Sequence, residues 1–105
     1  MHDELTLSIL RNTENLKSQK SLADDLGYSV GKINYVIKSL IDKGFIKIDN
    51  FAKNPNKRSY KYLLTKNGLE EKINLTEKFV QRKKEEYENL QADLERYKAI
   101  YGDKI

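Results

Sequence analysis

Two glycines punctuate residues 18–44, SQKSLADDLGYSVGKINYVIKSLIDKG, and they leave this stretch few ways to fold. Gly27 follows Leu22, Ala23 and Leu26, which share one face of a short helix that Ser18 can cap. A left-handed residue ends a helix at little cost when it is glycine, so the first helix stops at Gly27. Ser29 caps the next helix, with Tyr28 and Ile33 at the two positions of a hydrophobic staple. Ile33, Ile37, Leu40 and Ile41 form its apolar stripe, and Gly44 ends it after Lys43. The spacing predicts two short helices joined by a tight turn. The second presents Lys32, Asn34, Tyr35 and Lys38 away from the stripe.

The flanks extend the pattern. A first helix is expected from about Asp3 to Arg11, with acids in its first turn and apolar Leu5, Leu7, Ile9 and Leu10. Asn12 to Lys17 reads as a loop. Phe45 to Phe51 alternates as a strand, with Ile46 and Ile48 on one face and Lys47 and Asp49 on the other. Lys53 to Ser59 (KNPNKRS) is turn chemistry with added charge, and Tyr60 to Leu64 is a second strand. Two short strands around a basic turn make a wing at residues 52–59. The order describes a winged helix-turn-helix spanning residues 1–65, a shape that delivers one helix to the DNA major groove.

Charge placement agrees with that use. Residues 28–65 hold eight basic side chains (Lys32, Lys38, Lys43, Lys47, Lys53, Lys57, Arg58, Lys61) against two acids, Asp42 and Asp49. Residues 1–27 carry a slight negative excess, and residues 66–105 balance. The positive charge therefore falls on the helix–strand–loop segment, where phosphate would lie. For Lys32, Asn34, Tyr35 and Lys38, the bland alternative is a solvated helix face. The functional reading is contact with bases and phosphates, since Asn suits adenine, Lys suits guanine or phosphate, and Tyr suits a thymine methyl. Lys53, Lys57, Arg58 and Lys61 could be a solvated turn, but no acid offsets them between positions 50 and 65. Phosphate contact is the sharper reading there, with Arg58 able to enter a minor groove. Gly31 weakens the start of its helix and lets the backbone come close to a phosphate, or is a mere weak spot.

Thr65 can cap a last helix that reaches nearly to Tyr101. Ile73, Val80, Tyr87, Leu94 and Tyr101 recur every seven residues, interleaved with Leu69, Thr76, Lys83, Leu90 and Tyr97. This is an a/d heptad seam over residues 66–105, and at 1.5 Å per residue it would run roughly 50 Å. That exceeds what a 65-residue head could cover, so a partner is needed, most simply a second copy. In a parallel pair Lys72 would face Glu77 of the other copy, and Asp93 would face Lys98. Lys83 and Thr76 weaken the seam. Tyr87, Tyr97 and Tyr101 could suggest a ligand cage, but their heptad positions make them packing residues.

Other chemistries find little support. There is no Cys, and His2 is the sole His, which removes disulfides, thiolate nucleophiles and the common zinc frameworks. The lack of Cys fits a reducing cytoplasm, and no apolar run approaches the roughly 20 residues of a membrane span. Asp24 and Asp25 are sequence neighbours and do not share a helix face. No nucleophile–base set or phosphate loop is visible, so neither an enzyme nor a cofactor or metal is expected.

The stretch LADDLGYSVGKINYVIKSLIDKGFIKIDNF, with YKYLLTKNGLEEK and the heptad helix, resembles the MarR-type winged-helix regulators. The likeness is closest to the short subgroup linked to exopolysaccharide genes. It rests on Leu26-Gly27, Ser29, Gly31-Lys32, Asn34-Tyr35, Leu40 to Gly44, Tyr62 to Thr65 and Gly68 to Lys72, and it covers nearly the whole chain. The resemblance implies a homodimeric bacterial regulator that binds double-stranded DNA. It implies DNA contacts from Ser29, Lys32, Asn34, Tyr35 and Lys38 on a recognition helix at 29–43, and from Lys57 and Arg58 in the wing. Larger members hold small ligands between N- and C-terminal dimerisation helices. This chain opens almost directly on its first helix, so no small-molecule effector is expected. The alternative to a regulator is a non-enzymatic adaptor whose heptad helix pairs with a different protein.

Overall fold

The computed structural model describes residues 3–15, 19–50 and 60–104. Helix α1 spans Asp3–Arg11, α2 Gln19–Leu26 and α3 Val30–Asp42. Strands β1 (Ile46–Asn50) and β2 (Tyr60–Leu64) form an antiparallel pair, and α4 runs from Lys66 to Tyr101. The chain divides into two compact units, Met1–Leu75 and Thr76–Ile105. The fold is mainly helical: a winged helix-turn-helix with a small two-stranded wing sheet, followed by a long C-terminal helix.

The first unit closes around one apolar core. Leu5, Ile9 and Leu10 of α1, Leu22 and Ala23 of α2, and Ile33, Val36, Ile37 and Leu40 of α3 meet Ile46, Tyr62 and Leu75. Leu7, Leu26 and Ile41 pack at its edge, partly buried. The α3 stripe is therefore centred one step from the expected one. Val36 takes a buried place and Ile41 drifts to the margin, because at about 100° per residue Val36 lies nearer the axis through Ile33 and Leu40.

The segment after α1 is more ordered than a loop. Thr13–Asn15 forms a single 3-10 turn, and Thr13 is buried. Its hydroxyl donates to the Leu10 carbonyl at 2.9 Å, so a polar group enters the core with its hydrogen bond made. The Asn12 side chain donates from Nδ2 to the Ser8 carbonyl at 2.6 Å and helps close the end of α1. The proposed Ser18 cap and the wing turn carrying Lys53, Lys57 and Arg58 lie outside the described residues.

Both glycine stops form as the spacing predicts. Gly27 (φ 76°) and Gly44 (φ 79°) are left-handed. After α2 the Tyr28 amide reaches back to the Ala23 carbonyl at 3.1 Å. After α3 the Gly44 amide donates to Ile41 and the Phe45 amide to Leu40, both at 2.9 Å, a complete Schellman closure.

The hairpin pairs Ile46 with Leu64, Ile48 with Tyr62 and Asp49 with Lys61. Ile46 and Ile48 share a face, but Ile46 is buried and Ile48 is 45% exposed. The reason lies across the pair. Strand β2 packs on the 3-10 turn, so its Tyr62 is the covered member at that level.

Thr65 caps α4, accepting from the Gly68 amide at 2.9 Å. The same hydroxyl donates to the Gly44 carbonyl, and the Thr65 amide donates to the Phe45 carbonyl at 3.1 Å. One residue thus ties the end of α3, the entry to β1 and the start of α4. Gly68 and Leu75 are buried on the head-facing side of α4. Leu69 and Ile73, the first seam residues, lie roughly 100° or more further round and are about half exposed.

Candidate nucleic-acid interface

Helix α3 is held by its apolar side and offers the other. Its start is fixed by Ser29, extended at φ −72° and ψ 154°, whose hydroxyl oxygen accepts from the Lys32 amide at 3.1 Å. That bond uses the oxygen as an acceptor and leaves its O–H able to donate to a phosphate. Ile33, Val36, Ile37 and Leu40 are buried, which sets the rotation of the helix and hence what it exposes.

Ser29 and Lys38 are exposed, and Tyr35 is 66% exposed. Lys32 and Asn34 are half-buried. At about 100° per residue, Gly31, Tyr35, Lys38 and Asp42 fall on one narrow arc at the centre of the open face. Asn34 and Lys32 lie on its opposite flanks. The five candidates therefore do not form one even row: Tyr35 and Lys38 lead, while Lys32 and Asn34 edge the core. The long Lys32 side chain can still reach outward from its flank, whereas the short Asn34 amide is presented where it stands.

Asp42 is not among the residues that the sequence assigns to DNA contact. It is exposed at the C-terminal end of the same arc. The arc thus opens on a glycine, is aromatic and basic in its middle, and is acidic at its end. A strictly electrostatic footprint would not include an acid there. Adjacent Lys43 and strand residue Lys47 are exposed. Lys61 faces Asp49 across the hairpin, an opposite-charge cross-strand pair.

In the second unit, Val80, Tyr87, Leu90, Leu94, Tyr97 and Tyr101 are between 47% and 67% exposed. Thr76 and Lys83, the weak seam positions, are exposed too. Lys83 bonds Glu86 at 3.4 Å and Arg96 bonds Asp93 at 3.1 Å, each one turn apart on the helix. Asp93, expected to meet Lys98 of another copy, thus already has a partner within its own chain. Both pairs are exposed and add little stability.

Residues 2–47 match a family model described as winged helix-turn-helix DNA-binding. The match runs from α1 through α2 and α3 into the first strand, just under half of the chain. The head is thus similar to DNA-binding winged helices, which supports a DNA-binding regulator. No curated protein and no solved structure matches the chain. Among the described residues, no helix is long and apolar enough to cross a membrane.

Proposed function

We propose that the chain is a homodimeric, sequence-specific regulator of transcription that binds double-stranded DNA through α3. The observation that carries this reading is the open face of α3. A capped helix, rotated by four buried residues, offers Tyr35 and Lys38 at its centre and Lys32 and Asn34 at its flanks. In such an arrangement α3 enters the major groove, Ser29 and the lysines donate to phosphate, and Asn34 and Tyr35 meet base edges. Lys53, Lys57 and Arg58 of the wing contribute phosphate or minor-groove contact.

Pairing follows from the exposed seam. Six large apolar side chains on α4 cannot all stay in water without cost, and a second copy of the same face would cover them. The dimerisation set is Ile73, Thr76, Val80, Lys83, Tyr87, Leu90, Leu94, Tyr97 and Tyr101. Two α3 helices would then read half-sites about 34–36 Å apart, one helical turn of DNA. The resemblance to short MarR-type regulators supports the same picture and a bacterial, cytoplasmic setting.

Selection of bound duplexes from a random pool tests the reading, coupled to sedimentation of the protein alone and with DNA. The expected result is a dimer that enriches a near-palindromic site. A monomer that enriches no motif would overturn it, and would favour an adaptor whose seam pairs with a different protein.

A further inference from the structure

The centre of the open α3 face holds a glycine that nothing in the fold requires. Gly31 is the second residue of α3 and is not among the left-handed glycines, which are Gly27 and Gly44. A Cβ built there would meet the Ser29 hydroxyl oxygen at 4.0 Å, an ordinary contact, and nothing nearer. Gly68, also helical, is the contrast: a Cβ there would fall 2.0 Å from the Phe45 carbonyl oxygen. Packing therefore explains Gly68 and leaves Gly31 unexplained, although glycine weakens a helix relative to alanine.

Position supplies the reason. Gly31 shares its arc with Tyr35 one turn on and Lys38 two turns on. Long helical side chains lean toward the N-terminus, over the residue three or four before them. With no side chain at position 31 and only the Ser29 hydroxyl within 4 Å of where one would stand, the α3 backbone there is open to close approach, one turn before the mostly exposed Tyr35. We propose that Gly31 is the close-approach point of α3, where a base-pair edge in the major groove of duplex DNA seats against that backbone beside Tyr35. Asp42, further along the same arc, leaves the face without an unbroken basic run for a phosphate strand to follow. Base edges present donors as well as acceptors and tolerate the carboxylate. The inference rests on the DNA-binding reading above and makes Gly31 a determinant of selectivity.

The test compares the wild-type protein with Gly31→Ala and Gly31→Lys on two duplexes of equal length at one salt concentration: a site selected from the random pool and an unrelated sequence. Gly31→Ala should raise Tm by about 2–5 °C, because it adds helix propensity at an unstrained position. It should weaken binding to the selected site by about tenfold or more, the scale of one lost base contact, and leave the unrelated duplex nearly unaffected. Gly31→Lys should tighten the unrelated duplex through added charge without restoring the selected site. An unchanged affinity ratio for Gly31→Ala, a fall in its Tm, or equal tightening on both duplexes by Gly31→Lys would each overturn the proposal. A wild-type protein that binds no duplex would overturn the DNA-binding reading itself, and this inference with it.

Discussion

Gly68→Ala asks whether the joint between the head and α4 is as tight as its geometry states. The added methyl would lie 2.0 Å from the Phe45 carbonyl oxygen, and 2.9 Å from both its carbon and the Leu64 Cδ1. The first distance is about 1.4 Å short of ordinary contact at 3.4 Å. The Phe45 carbonyl cannot swing aside freely, because it accepts from the Thr65 amide at 3.1 Å. On the other side of the same residue, the Phe45 amide donates to Leu40 at 2.9 Å. Overpacking of this kind costs about 1–3 kcal/mol. Losing the Thr65–Phe45 bond adds about 1 kcal/mol. Helix propensity returns up to about 1 kcal/mol, since alanine outranks glycine. The net loss is about 1–3 kcal/mol, or a Tm lower by about 5–20 °C in a unit of this size. Thermal unfolding at fixed protein concentration, followed by circular dichroism and by tyrosine fluorescence, measures it. Fixed concentration matters because a pairing protein has a concentration-dependent Tm. A Tm within about 2 °C of wild type, or above it, would refute the reasoning. Gly31→Ala is the internal control, since the same chemical change in open space should move Tm the other way.

Thr65→Val keeps the β-branched shape but removes the hydroxyl that serves Gly68 and Gly44, and should lower stability by about 1–2 kcal/mol in urea unfolding, with Thr65→Ser near wild type. Tyr35→Ala should leave stability within about 0.5 kcal/mol, since the ring is mostly in solvent, while weakening binding to a selected duplex. Stability falling in step with affinity would make Tyr35 a packing residue. Replacing Lys83 by Leu puts an apolar side chain at a d position and should shift sedimentation toward dimer at lower protein concentration; an unchanged equilibrium would mean that the seam is not the pairing face. The double change Lys57→Ala with Arg58→Ala should weaken all duplexes alike and reduce the salt slope by about 2, and an unaltered slope would remove the wing from the interface.

Local signals make most of the head legible in the sequence. Ser29, Gly27, Gly44 and Thr65 act over a few residues, and each cap or stop forms where composition puts it. The apolar stripes of α1 and α2 needed only the helical period. Most of the misses share one cause. Thr13, Tyr62 and Leu75 are buried because of what packs over them, and that cover comes from other parts of the chain, whereas the place of Val36 follows from the helical period alone. A signal existed for Leu75, which follows Gly68 by seven residues on one side of α4. The stronger heptad pattern of Leu69 and Ile73, roughly 100° or more round the helix, masked it. Ile48 failed in the opposite sense, having the right period but no cover.

The candidate interface divides the same way. Sequence alone determined that residues 29–43 form a capped amphipathic helix after a glycine turn, that positive charge gathers on it and the following hairpin, and that a heptad seam continues to Tyr101. Those properties depend on spacing and composition, which the chain carries locally. Only the tertiary structure decided how far α3 is rotated in its seat. Burial of Val36 with Ile33, Ile37 and Leu40 brings Gly31, Tyr35, Lys38 and Asp42 to the centre of the open face and leaves Lys32 and Asn34 at its edges. It also gave two helical glycines different meanings, one pressed against Phe45 and one facing open space. A glycine's letter records the missing side chain, and the neighbours folded around it determine what the vacancy is for.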